Sequence, residues 1–144
     1  LGAFQLARAE RAGMRSAWMA GLITCVLFGV LALWPTSILG IFEPSDTVLA
    51  VGTVALRYYV LMCTGLVVST VIASALGGAG DAITPMIVNL ASLWVVQLPS
   101  AWALSHLTGF GPPGIWAGMA LGALVGAIAM VGQFRLGRWK SIIV

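Results

Sequence analysis

The side chains with chemical capability inside this chain gather in one stretch. Between Pro85 and Leu107 stand Asn89, Ser92, Gln97 and Ser100, with Pro99 among them. Carboxamides and hydroxyls donate and accept hydrogen bonds without carrying charge. They suit gripping a ligand or a neighbouring helix rather than breaking bonds. Asn and Gln cost too much to leave facing hydrocarbon, so they should face a bundle interior or a watery cavity. Pro99 cannot bond back to the carbonyl of Val95 and is expected to kink its helix there. Asn89, Ser92, Gln97 and Pro99 are therefore candidates for a cavity wall. The alternative is interhelical hydrogen bonding with no ligand.

Bond-breaking chemistry finds no equipment. Glu10, Glu43, Asp46 and Asp81 all fall in loops or at helix ends, and the one His, His106, falls at the end of the third apolar stretch. No nucleophile–base pair or metal-ligand cluster can be assembled, so no catalytic residue, metal or cofactor is expected. The Gly77–Asp81 run GGAGD lacks the preceding strand and the Lys of a phosphate loop. Cys25 and Cys63 each lie inside an apolar run and read as reduced packing residues.

The elements that must position these groups follow from composition. Of 144 residues, 60% are hydrophobic and 8% charged, with a mean hydropathy of +1.06. A soluble domain carries about 25% charge; this chain cannot clothe a water-facing surface. Disorder, a nucleic-acid arm and an ordinary soluble enzyme are excluded, which leaves an all-α, multi-pass membrane protein whose first partner is the lipid bilayer. A span takes about 20 apolar residues, and stretches of that kind run over about 14–35, 46–77, 85–107 and 114–134. Residues 1–13 are expected to be a loop and 135–144 a tail. EPSD (43–46), GGAGD (77–81) and GFGPPG (109–114) carry turn chemistry between the spans. Short connections make antiparallel, up-down neighbours. The start at Leu1, with no Met and no apolar leader, is expected of a chain processed or cut from a longer one.

Basic residues set the orientation. Arg8, Arg11 and Arg15 precede the first span, and Arg135, Arg138 and Lys140 follow the fourth, while the loops at the other side carry Glu43 and Asp46. Both termini are expected on the cytoplasmic side of a cell membrane, a bacterial inner membrane. The net charge of +3 thus expresses topology, not affinity for nucleic acid. The second span is too long for a core of about 30 Å. If spanning begins near Arg57, then Asp46–Leu56 becomes an interfacial segment, and Arg57, Tyr58 and Tyr59 lie at the headgroups. The rival placement puts Arg57 in the core, where it would be functional.

Two further patterns concern packing. Gly114, Gly118, Gly122 and Gly126 recur every fourth residue on one helix face, where they let another backbone approach closely. This ridge serves either static packing or a sliding surface. Gly65, Ser69, Ala73 and Gly77 form a similar ridge on the second span. Gly78, Gly80, Asp81 and Pro85 are expected to make a tight cytoplasmic corner, with Asp81 or Thr84 capping a helix that starts at Pro85.

Taken in order, these motifs resemble one family. LGAFQLARAERAG resembles a loop of the multidrug and toxic compound extrusion (MATE) transporters, with Gly2-Ala3 before Arg11-Ala12 or Arg8-Ala9. ALGGAGDAITP resembles their Ala-Leu-Arg-Gly-Ala-Gly-Asp-Thr-x-x-Pro turn through Gly78, Gly80, Asp81 and Pro85. It departs at Gly77, where the family often has Arg, and at Ala82, where it has Thr. GFGPPGIWAG matches their Gly-rich turn through Gly114, Trp116 and Ala117, and the close matches through Gly137, Trp139 and Lys140. The resemblance implies a twelve-helix, two-lobe transporter of which these are the last four helices, with the remaining helices as partners. It implies antiport of a small organic cation, drug or toxic metabolite against Na⁺ or H⁺. In that family the coupling carboxylates lie in the first helix of one lobe or, in one branch, on the seventh and tenth helices; the tenth would be the second span here, which has none, so the ion site is expected outside this stretch. A lipid-linked oligosaccharide flippase of the same superfamily and a non-transporting membrane assembly subunit remain as alternatives. Reporter fusions after Lys140 and within Glu43–Asp46 should give opposite signals; the same signal from both would overturn the orientation.

Overall fold

The computed structural model describes residues 6–42, 45–137 and 139; Gly2, Ala3, Glu43, Arg138 and Lys140 lie outside them. Every element among the described residues is helical. In chain order they are α1 (Leu6–Leu33), α2 (Pro35–Gly40), α3 (Asp46–Gly78), α4 (Ile83–Ala91), a π-helical turn (Ser92–Gln97), α5 (Leu98–His106) and α6 (Pro112–Leu136). Four helical stretches are long and apolar enough to cross a membrane: Ala7–Leu33, Asp46–Gly78, Ile83–His106 and Pro112–Leu136.

Several boundaries differ from expectation for local reasons. Residues 6–13 are not a loop but the first turns of α1, because Leu, Ala, Arg and Glu are all good helix formers and no breaker precedes Gly13. Trp34, at φ −122° and ψ 52°, leaves the helix because a residue before proline is pushed out of the α region; Pro35 then opens α2. Helix α4 starts at Ile83 rather than Pro85. Helix α6 starts at Pro112, two residues before Gly114, using Pro112 and Pro113 where missing N–H groups cost nothing. Helix α3 is a single helix of 33 residues, about 50 Å long. The stretch Asp46–Leu56, expected as an interfacial segment, is continuous with the rest of α3, and α2 lies along it, with Leu39 against Gly52.

The neighbours are not in chain order. Along α1 and α3, Gly13 faces Ala75, Gly21 faces Val68, and the Phe28 ring meets Tyr59 edge-on at 5.7 Å. These two helices are antiparallel. Gly65 of α3 meets the backbone of Ala123 in α6, while Gly13 touches both Ala75 and Phe134; α3 and α6 therefore run parallel. The other side of α6 carries the third span, antiparallel to it. The row reads first span, second, fourth, third, with α6 the most buried (Gly114, Gly118, Ala120, Gly122, Ala123, Gly126, Ala127, Met130 and Phe134).

The large buried side chains sit at the end that holds the start of α1 and the end of α6. Ile72, Leu76, Met130 and Phe134 form a cluster with Ala17 and Ala79. Gly137, at φ 74°, ends α6 in the left-handed region and turns the chain so that Trp139 stacks on Phe134 at 5.2 Å. The indole Nε1 donates to the Phe134 carbonyl oxygen at 2.9 Å. Beside this cluster α3 ends in a Schellman motif: the Asp81 N–H donates to the Leu76 carbonyl and the Gly80 N–H to the Gly77 carbonyl, each at 3.0 Å, with Gly80 at φ 88°. The Asp81 carboxylate then accepts the Thr84 N–H at 3.0 Å. The carboxylate thus caps the helix that follows.

Two stability predictions follow from these contacts. A β-carbon at Gly118 would lie 2.3 Å from Ala101 backbone atoms and one at Gly122 2.4 Å from Gln97 Cβ, whereas one at Gly132 meets nothing within 4 Å. Gly118→Ala and Gly122→Ala should destabilise by about 1–3 kcal/mol or prevent folding. Gly132→Ala should be neutral or stabilising by up to about 1 kcal/mol through helix propensity. Thermal unfolding in detergent reads the difference; equal effects at all three would mean that the ridge faces lipid. Asp81→Ala should cost about 1 kcal/mol and Asp81→Asn much less, because Asn keeps the capping oxygen.

Candidate functional site

Polar side chains from several helices converge on a groove midway along α6. It has a volume of about 250 Å³. Ser69 and Thr70 of α3, Asn89 of α4, Ser92 and Gln97 of the π turn, and Gly122 and Gly126 of α6 line it.

The π turn is what brings the third span's polar groups to this groove. From Gly114 to Gly126 the α6 ridge advances four residues at a time. Its partners on the third span are Leu104, Ala101, Gln97 and Ser92, with steps of three, four and five residues. An α-helix would rotate Ser92 well away from Gln97, since five residues exceed one turn by more than a third of a turn. The wider π turn absorbs the extra residue and keeps both on the α6 face. Its cause is Pro99, whose ring conflicts with the Val95 carbonyl and whose nitrogen has no hydrogen to donate to it. Such turns recur at functional sites.

Gly122 and Gly126 set the depth. A β-carbon at Gly126 would stand 3.0 Å from Ser92 Oγ, and one at Gly122 would displace the Gln97 stem. The Ser100 hydroxyl lies 3.2 Å from both the Gln97 and the Gly118 carbonyl oxygens, and ties the third span to α6 below the groove. Thr70 donates to the Leu66 carbonyl at 2.8 Å within its own helix, so its oxygen can only accept any further hydrogen bond. Asn89, Ser92 and Gln97 add donors and acceptors. The lining is neutral, with carboxamide and hydroxyl dipoles and no carboxylate. It can hold a polar or cationic group by dipoles but cannot pair its charge.

Of the residues expected at a cavity wall, Asn89, Ser92 and Gln97 line the groove and Pro99 does not. Pro99 is exposed on the outer side of the third span, two residues and more than half a turn from Gln97. Its contribution is to the backbone. Ser69 was visible only as part of a small-residue ridge. Thr70 was missed, although Ser69-Thr70 is a polar pair within the apolar run Leu66–Ala75. In that second ridge Gly65 meets the α6 backbone, Ser69 is buried, and Gly77 has open space beside it.

The remaining singled-out residues lie away from the groove. Arg57 is exposed, and the pairings of α3 with α1 and α6 put it level with the last turn of α1 and the first turns of α6. Tyr59 packs on Phe28 there, and Tyr58 is half-buried. His106 is exposed at the end of α5, stacked on Trp102 at 5.6 Å, with Nδ1 2.7 Å from the Ser105 hydroxyl. Gly78, Gly80, Asp81 and Pro85 belong to the turn between α3 and α4. Among the described residues no group of His, Cys, Asp and Glu could hold a metal.

The MatE family model matches residues 1–103, from the first span to within α5. The probable multidrug resistance protein NorM of Pseudomonas aeruginosa is 32% identical over 148 residues, covering 97% of this chain and 29% of that protein. A protein of the same name from Thermotoga maritima is 24% identical over 89% of this chain and 28% of its own length. The uncharacterized transporter YisQ of Bacillus subtilis is 25% identical over 96% of this chain and 30% of its own. The chain thus spans less than a third of the curated relatives it matches. No solved structure matches it. The four apolar helices make this a multi-pass membrane protein, and the match over most of its length makes the chain a member of the MatE family.

Proposed function

We propose that the chain is the C-terminal four-helix part of a secondary active antiporter that exports small organic cations, drugs or toxic metabolites in exchange for Na⁺ or H⁺. The remaining helices complete two lobes, and both termini of this part face the cytoplasm of a bacterial cell. The observation that carries the reading is the groove: hydrogen-bonding but uncharged walls, set mid-span next to the tight backbone contact that Gly114 and Gly118 of α6 make with the third span. Alternating access rocks packed bundles about a central site, and a neutral polar wall grips a substrate without holding it too tightly to leave. The relatives named for multidrug resistance and for transport support the same reading.

The ion site belongs elsewhere. An intramembrane carboxylate is the usual carrier of coupling charge. Here Glu10 sits in the first turns of α1, Asp46 opens α3, and Asp81 is occupied as a cap. The chain contributes walls and packing surfaces to the cycle, and the titrating group lies outside it.

In drug-sensitive cells expressing the full-length protein, Asn89→Ala and Gln97→Ala should each lower ion-driven efflux of a fluorescent cation by about ten-fold, the scale of one or two lost hydrogen bonds. Protein levels should be unchanged. Asp81→Asn should leave coupled efflux largely intact. Normal efflux from both carboxamide variants, or loss of coupling alone in Asp81→Asn, would overturn the proposal.

A further inference from the structure

The outer face of α1 carries a second feature that the groove does not use. At 3.6 residues per turn, Arg8, Arg11, Arg15, Met19, Leu22 and Val26 fall within about 80° of arc. Gly13, Ala17, Gly21 and Thr24, on the opposite side, pack against the bundle. The three arginines are exposed, and with Ser16 and Met19 they border a shallow hollow of about 420 Å³. Arg11 Nε donates to the Ala7 carbonyl oxygen at 3.1 Å, which draws its guanidinium back along the helix toward the turn that carries Arg8. Beyond Arg15 the same face turns apolar at once, with Met19, Leu22 and Val26 more than half exposed.

We infer that this stripe binds an anionic phospholipid: its phosphate sits among Arg8, Arg11 and Arg15, and an acyl chain lies along Met19, Leu22 and Val26. Three observations converge on that occupant. The charge is complementary, and guanidinium forks match phosphate oxygens in pairs. Arg8 also lies in the first turn of a helix, a turn that holds no acid, where the backbone dipole adds to the positive field. The step from charge to hydrocarbon within one turn reproduces the step from headgroup to acyl chain at a bilayer edge. Arg8 and Arg15, seven residues apart, are separated by about 10 Å along the axis, room for one phosphate between them. The inference needs only that the chain spans a bilayer. It stands or falls apart from the transport reading.

The test uses the full-length protein in phosphatidylcholine nanodiscs, with energy transfer from its tryptophans to dansyl-labelled phosphatidylglycerol and, separately, to dansyl-labelled phosphatidylcholine. The unaltered protein should prefer the anionic probe, and raising salt from about 0.1 M to 1 M should erase most of the preference as the screening length shrinks. Arg11→Gln with Arg15→Gln should weaken binding of the anionic probe about ten-fold or more, while Arg57→Gln should leave it unchanged. The salt arm keeps the test intact if the double variant fails to fold. No preference in the unaltered protein, as expected if another helix covers this face, would overturn the inference. A preference insensitive to salt, or one lost equally in Arg57→Gln, would do the same.

Discussion

The close approach of two backbones along α6 is the constraint on which the rest of the structure depends. Lipid tails are as apolar as leucine, so helices inside a bilayer gain little by hiding hydrophobic surface from it; they associate through packing and hydrogen bonds. Gly114, Gly118, Gly122 and Gly126 let the third span come close enough for both. Once that contact exists, α6 lies inside the row, with α3 parallel on its other side. The third span must then keep step with a four-residue repeat although Pro99 interrupts its own hydrogen bonding. The π turn is how it does so, and the groove is the space that the turn leaves.

The bundle is unevenly filled as a result. At the end holding the start of α1 and the end of α6, Ile72, Leu76, Met130, Phe134 and Trp139 are almost completely buried, and Trp139 locks the chain back onto α6. Midway, the contacts pass to Gly, Ala, Ser and carboxamides. One end is a packed joint and the middle is a surface with few large side chains to disengage, a distribution that suits the proposed rocking cycle. The long apolar faces of α1 and the third span, with Trp18, Ile23, Trp94 and Trp102 exposed, remain for lipid or for further helices.

Much of this was legible in the residues, and the illegible parts have physical reasons. Hydropathy revealed four spans because a bilayer demands uninterrupted apolar length. The four-residue glycine repeat revealed a close helix contact, but glycine carries no side chain to say which helix approaches. Pro99 foretold a disturbance, yet proline specifies a lost hydrogen bond and not how the backbone repairs it; the five-residue step from Ser92 to Gln97 is visible only beside its partner. Arg8 and Arg11 suggested a loop because charge dominates a hydropathy reading, while their high helix propensity extends α1 through them. Trp139 read as tail because burial by stacking on Phe134 leaves no periodic trace. Gly80 and Asp81 were the easiest, since a left-handed turn and a cap each need a particular residue type.

Disulfide trapping across the π turn tests the central claim most directly. In a background with Cys25 and Cys63 replaced by alanine, the pair Ser92→Cys and Gly126→Cys can be compared with Leu93→Cys and Gly126→Cys under mild oxidation. A β-carbon at Gly126 lies 3.2 Å from that of Ser92, close to the separation across a disulfide of about 3.5–4.5 Å. The Ser92 pair should therefore close rapidly and the Leu93 pair slowly. An unbroken α-helix would put Leu93, four residues before Gln97, on the α6 face instead. Faster closure of the Leu93 pair would contradict the π turn and the groove built on it.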